Sequence, residues 1–317
     1  MKRLLVIRFS AMGDVAMTAP VVRAVAEQYP DISVTMLSQQ RFADMFADMP
    51  ANVTFHGVDV KKQSLRKIVT GLGTYDLVAD MHGVWRSMYV RWRMRIKGAR
   101  VAHINKGRQS KRQLIRGKIH EPLKHTSERY ADVFATLGLP IKLRVNPRIT
   151  PMKGRCGIGV APFAAHQGKV YPLERMERVV EMLSTAGERV VLFGGGKMEQ
   201  EILENWAAKY HGVESIAGKK TLCEEMELMR GLRVMLCMDS ANMHLASLAG
   251  TRVVSVWGAT HPNAGFLGIG QSTDDCIQRD LPCRPCSIYG NKKCKYGDYR
   301  CMDIAPEAIV EKVLEKS

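Results

Sequence analysis

Val234–Gly250, VMLCMDSANMHLASLAG, is the stretch whose reading decides the fold. Val234–Met238 is an unbroken apolar run, as expected of a strand buried on both faces of a parallel sheet. It stops at Asp239-Ser240. From Asn242 the apolar residues Met243, Leu245, Ala246, Leu248 and Ala249 recur at helical spacing, and Gly250 closes the helix. Val253–Gly258 then begins another apolar run. Strand, polar turn, helix and strand make a βαβ unit. Its turn lies where ligands bind in open α/β sheets, outside the carboxyl ends of the strands. Unpaired N–H groups and the positive end of the helix dipole favour a phosphate there, with Asp239, Ser240 and His244 as candidate lining side chains.

Outward from this unit the alternation continues in both directions. Lys2–Phe9 reads as a strand, Ser10–Asp14 as its turn, and Val15–Gln28 as a helix that Pro20 should kink or delay. Val34–Leu37, Thr54-Phe55 and Tyr75–Asp80 read as strands, Arg41–Met49 as a short helix, and Trp85–Lys97 as an arginine-rich helix. Lys106–Lys124, basic and without apolar periodicity, reads as a loop, and His125–Leu137 as a helix. Leu139–Met152, with three prolines, reads as a linker. The pattern then restarts with strand Cys156–Val160, turn Ala161–Lys169, helix Leu173–Ala186, strand Val190–Phe193 and the Gly194–Gly196 turn. Helices Glu199–Tyr210 and Leu222–Gly231 follow, and Pro306–Lys316 closes the chain. At 317 residues the expectation is an α/β protein of two domains, 1–150 and 151–317.

Composition excludes several classes. No run approaches the ~20 apolar residues of a membrane span, and the short run Leu4–Ile7, followed by Arg8 and Asp14, reads as a strand rather than a signal peptide. A cytoplasmic protein is expected. No G-x-G-x-x-G follows the first strand, which argues against a dinucleotide-dependent dehydrogenase. Net charge is +16, and residues 61–129 hold 18 Lys and Arg against 4 Asp and Glu. A solvated basic face, an anionic membrane, a phosphorylated substrate and nucleic acid could each account for it. Few aromatics and no RNA-binding or zinc-finger pattern make nucleic acid the weakest of these.

Several short motifs, in order, resemble glycosyltransferase family 9, the ADP-heptose:lipopolysaccharide heptosyltransferases. Ser10-Ala11-Met12-Gly13-Asp14 with Thr18-Ala19-Pro20 is similar to the family's N-terminal signature. Asp80-Met81-His82-Gly83 with Arg86-Ser87 resembles its Asp-x-Gln-Gly…Arg-Ser, His82 replacing Gln. Lys169-Val170-Tyr171-Pro172 resembles Lys-x-Trp-Pro, Tyr171 replacing Trp. Asp239–Ala246 with Trp257-Gly258-Ala259-Thr260 resembles Asp-Ser-Gly-x-x-His-Leu-Ala…Phe-Gly-x-Thr, Ala241 replacing Gly. The resemblance implies a GT-B fold: two Rossmann-like domains facing a cleft, acceptor on the first, donor on the second, and a last helix crossing back to the first domain.

It also implies an inverting transfer of heptose from ADP-heptose to the lipopolysaccharide inner core, at the cytoplasmic face of the inner membrane. Asp14 is then the base that deprotonates the acceptor hydroxyl; its competing role is helix N-cap. Lys169, Ser240, Ala241 and His244 would meet the diphosphate, Asp239 sugar hydroxyls and Glu199 the ribose. Ser10 and Arg86 fall on the acceptor side, where arginine suits an anionic lipopolysaccharide core. Expected partners are an ADP-sugar donor, that core and the membrane surface, for a monomer or weak dimer; no cofactor is required.

The remaining readings are a different nucleotide-sugar donor and a non-catalytic nucleotide- or nucleic-acid-binding protein. Cys283, Cys286, Cys294 and Cys301, spaced C-x2-C-x7-C-x6-C, stay open between a structural zinc, reduced thiols and disulfides.

Overall fold

The computed structural model describes residues 1–143 and 154–315. The chain divides into two units, Met1–Lys106 with Lys124–Val145, and Gly107–Leu123 with Asn146–Ser317. Against the expected 1–150 and 151–317 division, residues 107–123 join the second unit and the later boundary falls at 145/146. Most of the expected linker, residues 144–152, lies outside the described residues.

In chain order the elements are β1 (Lys2–Ile7), α1 (Met12–Gln28), β2 (Ile32–Gln39), β3 (Val53–Val58), α2 (Leu65–Gly71), β4 (Leu77–Asp80), α3 (Trp85–Ile96), β5 (Arg100–His103), α4 (Arg108–Ile115) and α5 (Thr126–Thr136). They continue as β6 (Ile158–Ala161), α6 (Leu173–Thr185), β7 (Val190–Leu192), α7 (Lys197–Lys209), β8 (Val213–Ser215), α8 (Leu222–Gly231), β9 (Val234–Met238), α9 (Ala241–Leu248), β10 (Arg252–Trp257), β11 (Cys276–Gln278) and α10 (Pro306–Leu314). Arg41–Met49, expected to be helical, forms a 3-10 turn over Gln40–Phe46.

The first sheet is parallel in the order β3-β2-β1-β4-β5. Its central strand β1 pairs Ile7 with Leu37 on one side and with Asp80 on the other. Leu4–Ile7 are fully buried because helices cover both faces. The direction of winding reverses between β1 and β4, so the switch point lies where Ile7 and Asp80 end side by side. Helix α1 starts at Met12, three residues earlier than expected, and runs through Pro20 without ending. Pro20 removes one helical donor, but Val21, Val22 and Val25 on the same segment are fully buried, and that packing holds the helix together.

The second sheet is parallel in the order β11-β10-β9-β6-β7-β8, with its switch point between β6 and β9. Here the opening stretch behaves as read: every residue of β9 is buried, and Met243, Leu245 and Ala246 of α9 face the core. Gly168, just past β6, is a glycine by necessity. A Cβ there would sit 2.9 Å from the Ala259 Cβ and 3.0 Å from the Gly290 carbonyl oxygen, while its own carbonyl accepts the Ala259 N–H at 2.8 Å. The loop carrying Lys169 is thus locked against the loop after β10.

One expectation is corrected in part: within residues 106–124, expected to be a loop, Arg108–Ile115 form α4, which buries Leu114 against Ala264 and Ile288 of the second unit. The Leu123 N–H also donates to the Asn263 carbonyl at 2.8 Å. With only Leu114 and Ile115 apolar in its eight residues, α4 is too short to show periodicity. Ile309, Val310 and Val313 of α10 pack in the second unit's own core with Met176, Val179, Val180 and Leu183 of α6. The Tyr171 hydroxyl donates to the Ile304 carbonyl at 2.6 Å, and Arg175 pairs with Asp303 at 2.8 Å, anchoring the segment that leads into it.

Candidate functional site

At the switch point of the first sheet, Arg8 follows β1 directly and its guanidinium is buried. It pairs with the Asp14 carboxylate at 2.6 Å and donates to the Met81 carbonyl at 2.7 Å. Asp14 is not the N-cap. It is the third residue of α1, whose cap residue is Ala11, and its carboxylate accepts the Ala11 N–H at 3.2 Å. Its side chain keeps 30% exposure. A carboxylate held from two directions and still open to solvent has the positioning that a general base needs.

Asp80, wholly buried at the end of β4, braces the neighbouring loop. One oxygen accepts the His82 and Gly83 N–H groups at 3.0 and 2.9 Å, and the other pairs with Arg91 at 3.2 Å. Gly83 adopts φ +58, where a side chain would be strained. The loop delivers His82 against Phe9 and Ser10: Nδ1 accepts the Phe9 N–H at 3.4 Å, which leaves Nε2 as the protonated nitrogen, 3.5 Å from the Ser10 Oγ. Ser10, Asp14 and His82 are therefore brought together. Arg86 is near enough to act on His82 electrostatically, and its guanidinium covers the Trp85 ring at 4.7 Å.

Burial, then the charges of Arg8 and Lys106, push His82 down to about 3 from its ordinary 6.5. The imidazole is neutral at physiological pH. Unfolding exposes a histidine that takes up a proton the folded state refuses, so stability is fully present above pH 6.5 and is lost as pH falls from there towards 3. From the ordinary and shifted values, this contribution drops by about 2 kcal/mol between pH 7 and pH 5. Burial raises Glu225 to about 7, and that group contributes in the opposite sense over the same interval, so the His82 effect is read as a difference. Urea unfolding should show the stability of the native chain falling relative to that of His82→Gln, where no proton can be taken up, by about 2 kcal/mol from pH 7 to pH 5; a difference that does not change with pH would assign the acid sensitivity elsewhere.

At the switch point of the second sheet, Lys169 and Asp239 form an ion pair of 2.9 Å, with side chains 16% and 6% exposed. Lysine and aspartate come from the loops after β6 and β9, the adjacent strands where the winding reverses. Ser240 is the cap residue of α9 but makes no side-chain cap. Its hydroxyl is buried without a hydrogen-bond partner among the described residues. Ala241 and Asn242 provide first-turn N–H groups, and His244 lies buried one turn further on. A cation, first-turn amides and a buried hydroxyl at a helix start make an anion-binding arrangement.

Glu199 sits elsewhere in role. From the first turn of α7 its carboxylate accepts the Gly195 N–H at 2.7 Å, tying down the glycine turn after β7. Among the described residues no group of three or more His, Cys, Asp or Glu meets the geometry of a metal site, and all eight cysteines are free; Cys286 lies within electrostatic reach of Cys283 and Cys294, and Cys301 of Cys286 and Cys294.

Three residues went unassigned on sequence. Arg8 reads as one more charge after a strand, and only its burial against Asp14 reveals its role. The Thr260 hydroxyl, within a quoted motif, is buried without a partner among the described residues. Arg284, 24 residues on, donates to the Thr260 carbonyl at 2.9 Å and also to the Trp257 and Gly258 carbonyls, clamping the loop after β10. No local pattern signals that clamp.

Comparison with known proteins gives a consistent result. Residues 64–297 match glycosyltransferase family 9 (heptosyltransferase). Lipooligosaccharide heptosyltransferase 2 of Campylobacter jejuni is 22% identical, covering 96% of this chain and 96% of that one. Lipopolysaccharide heptosyltransferase 1 of Pseudomonas aeruginosa is 25% identical, covering 93% and 88%. Among solved structures, E. coli heptosyltransferase WaaC with ADP-2-deoxy-2-fluoro heptose superposes with a TM-score of 0.70 at 20% identity, covering 98% of this chain and 99% of that one.

Proposed function

Because the chain belongs to glycosyltransferase family 9, we propose that it transfers a heptose from ADP-heptose to a lipopolysaccharide core acceptor, with inversion at the anomeric carbon. Asp14 takes the proton of the acceptor hydroxyl as its oxygen attacks that carbon, and the bond to the diphosphate breaks on the opposite face. Charge then accumulates on the departing ADP. Lys169, the first-turn N–H groups of α9, the Ser240 hydroxyl and His244 meet it. Asp239, whose carboxylate holds Lys169, orients that cation, and its remaining acceptor capacity suits sugar hydroxyls. Arg86 and its basic neighbours take the anionic groups of the acceptor. No cofactor enters this scheme, and the work is done at the cytoplasmic face of the inner membrane.

The observation that carries the proposal is the Asp14 carboxylate, braced by a buried arginine at 2.6 Å and yet partly open. Binding to the folded state alone raises apparent stability by mass action, by about 2.7 kcal/mol at a hundredfold excess over Kd. A thermal-shift comparison at equal concentrations should therefore show stabilisation by ADP and ADP-heptose well above that by UDP or GDP. A larger response to UDP or GDP would move the donor to another nucleotide-sugar.

A further inference from the structure

The outward face of α3 carries four large apolar side chains that are about half or more exposed: Trp85, Met88, Trp92 and Ile96, at 63, 49, 55 and 60%. At 3.6 residues per turn they fall within an arc of about 80°. Ser87, Val90 and Met94 occupy the opposite side and are buried, so this helix has two apolar faces rather than one. Arg86 and Arg93 flank the outer stripe on one edge, Arg91 and Arg95 on the other, and the helix contains no acidic residue. Arg93 lies over the Trp92 ring at 5.9 Å, as Arg86 does over Trp85.

We propose that this face seats α3 in the interfacial layer of an anionic phospholipid bilayer, lying in its plane. The proposal extends the functional reading by naming the surface that meets the membrane holding the acceptor; its physical basis is independent of the activity. Two tryptophans at the level of the headgroups, an aliphatic stripe below them and arginines along both edges are what an interfacial helix presents. Each arginine near an anionic surface adds attraction, and the +14 carried by residues 61–129 is the field around this helix. No described helix is long and apolar enough to cross a membrane. A second copy of the chain is the less suitable occupant, because apposing two such faces would bring their arginine edges together.

The test uses the full chain with vesicles of phosphatidylcholine alone and of phosphatidylcholine with phosphatidylglycerol. Binding should require the anionic lipid and weaken with salt. Trp206 and Trp257 are buried, so fluorescence quenching by brominated acyl chains should report Trp85 and Trp92. Trp92→Ser combined with Ile96→Ser should lower vesicle partitioning at least about tenfold, since two exposed apolar groups are removed. It should leave transfer to a water-soluble, deacylated acceptor unchanged. No binding to anionic vesicles at low salt, binding without bromine quenching, or unaltered partitioning of the double variant would each overturn the proposal. So would a dimer in sedimentation velocity that the double variant abolishes, which would assign the face to a second copy.

Discussion

Asp14→Asn should lower the transfer rate by about 10²–10⁴-fold, the range that general base catalysis contributes. Asparagine keeps the size of the side chain and an oxygen that can accept the Ala11 N–H, but it cannot take a proton. The loss should fall on kcat, with the KM for donor little changed, because the donor groups lie on the second sheet. The substitution has a second consequence. The Arg8 side chain is 8% exposed, and without its carboxylate it is a buried charge left with the Met81 carbonyl, the face of the Tyr130 ring and the more distant Asp80. Breaking a buried pair from one side is destabilising, by about 3 kcal/mol or more. Combining Asp14→Asn with Arg8→Met should recover much of that stability, since an apolar side chain replaces the stranded cation, while activity stays lost. Recovery of activity together with stability would mean that Asp14 serves the fold and not the proton transfer.

Lys169→Ala should reduce kcat/KM by about 10²–10³-fold, the cost of removing one group that meets charge developing in the transition state. Because Lys169 holds Asp239 at 2.9 Å, the change also leaves a carboxylate buried beside the start of α9. That negative charge would repel a diphosphate, so the donor KM should rise along with the fall in kcat. Lys169→Arg keeps the charge and should retain part of the activity, although the wider guanidinium must fit between Asp239 and the locked Gly168 loop. Equal donor affinity in the native chain and Lys169→Ala would remove Lys169 from the donor site.

Much of this architecture was legible in the amino-acid order, for a specific reason. Val234–Met238 is uninterrupted and apolar because a central parallel strand is buried on both faces, and its observed limits are those of the run itself. Long helices such as α6 and α7 announced themselves by spacing. Strands β5, β8 and β11 did not, because each is only three or four residues long and has an exposed or half-buried edge. The start of α1 was misplaced because Ala11 offers no capping side chain and Gly13 looks like a turn. Asp14 consequently read as a loop residue, although it lies in the first turn of a helix.

The site was legible in identity more than in arrangement. Asp14, Lys169, Asp239 and Ser240 could be named from motifs. Yet 70 residues separate Lys169 from Asp239, and nothing local predicts that they pair. The same holds for Arg8 with Asp14, whose salt bridge depends on how β1 hands over to α1, and for His82, whose neutrality comes from burial and from Arg8 and Lys106. For Glu199, too, the local partner was not legible: its carboxylate accepts the N–H of Gly195 in the turn after β7.

The most direct measurement is a product analysis. Purified protein would be incubated with ADP-heptose and a deacylated lipopolysaccharide core acceptor that lacks heptose, followed by mass spectrometry of the acceptor and quantification of ADP. The account predicts an acceptor heavier by one heptosyl residue, one ADP released for each transfer, an inverted anomeric linkage, and no product from Asp14→Asn. Retained anomeric configuration, or undiminished product from that variant, would contradict it.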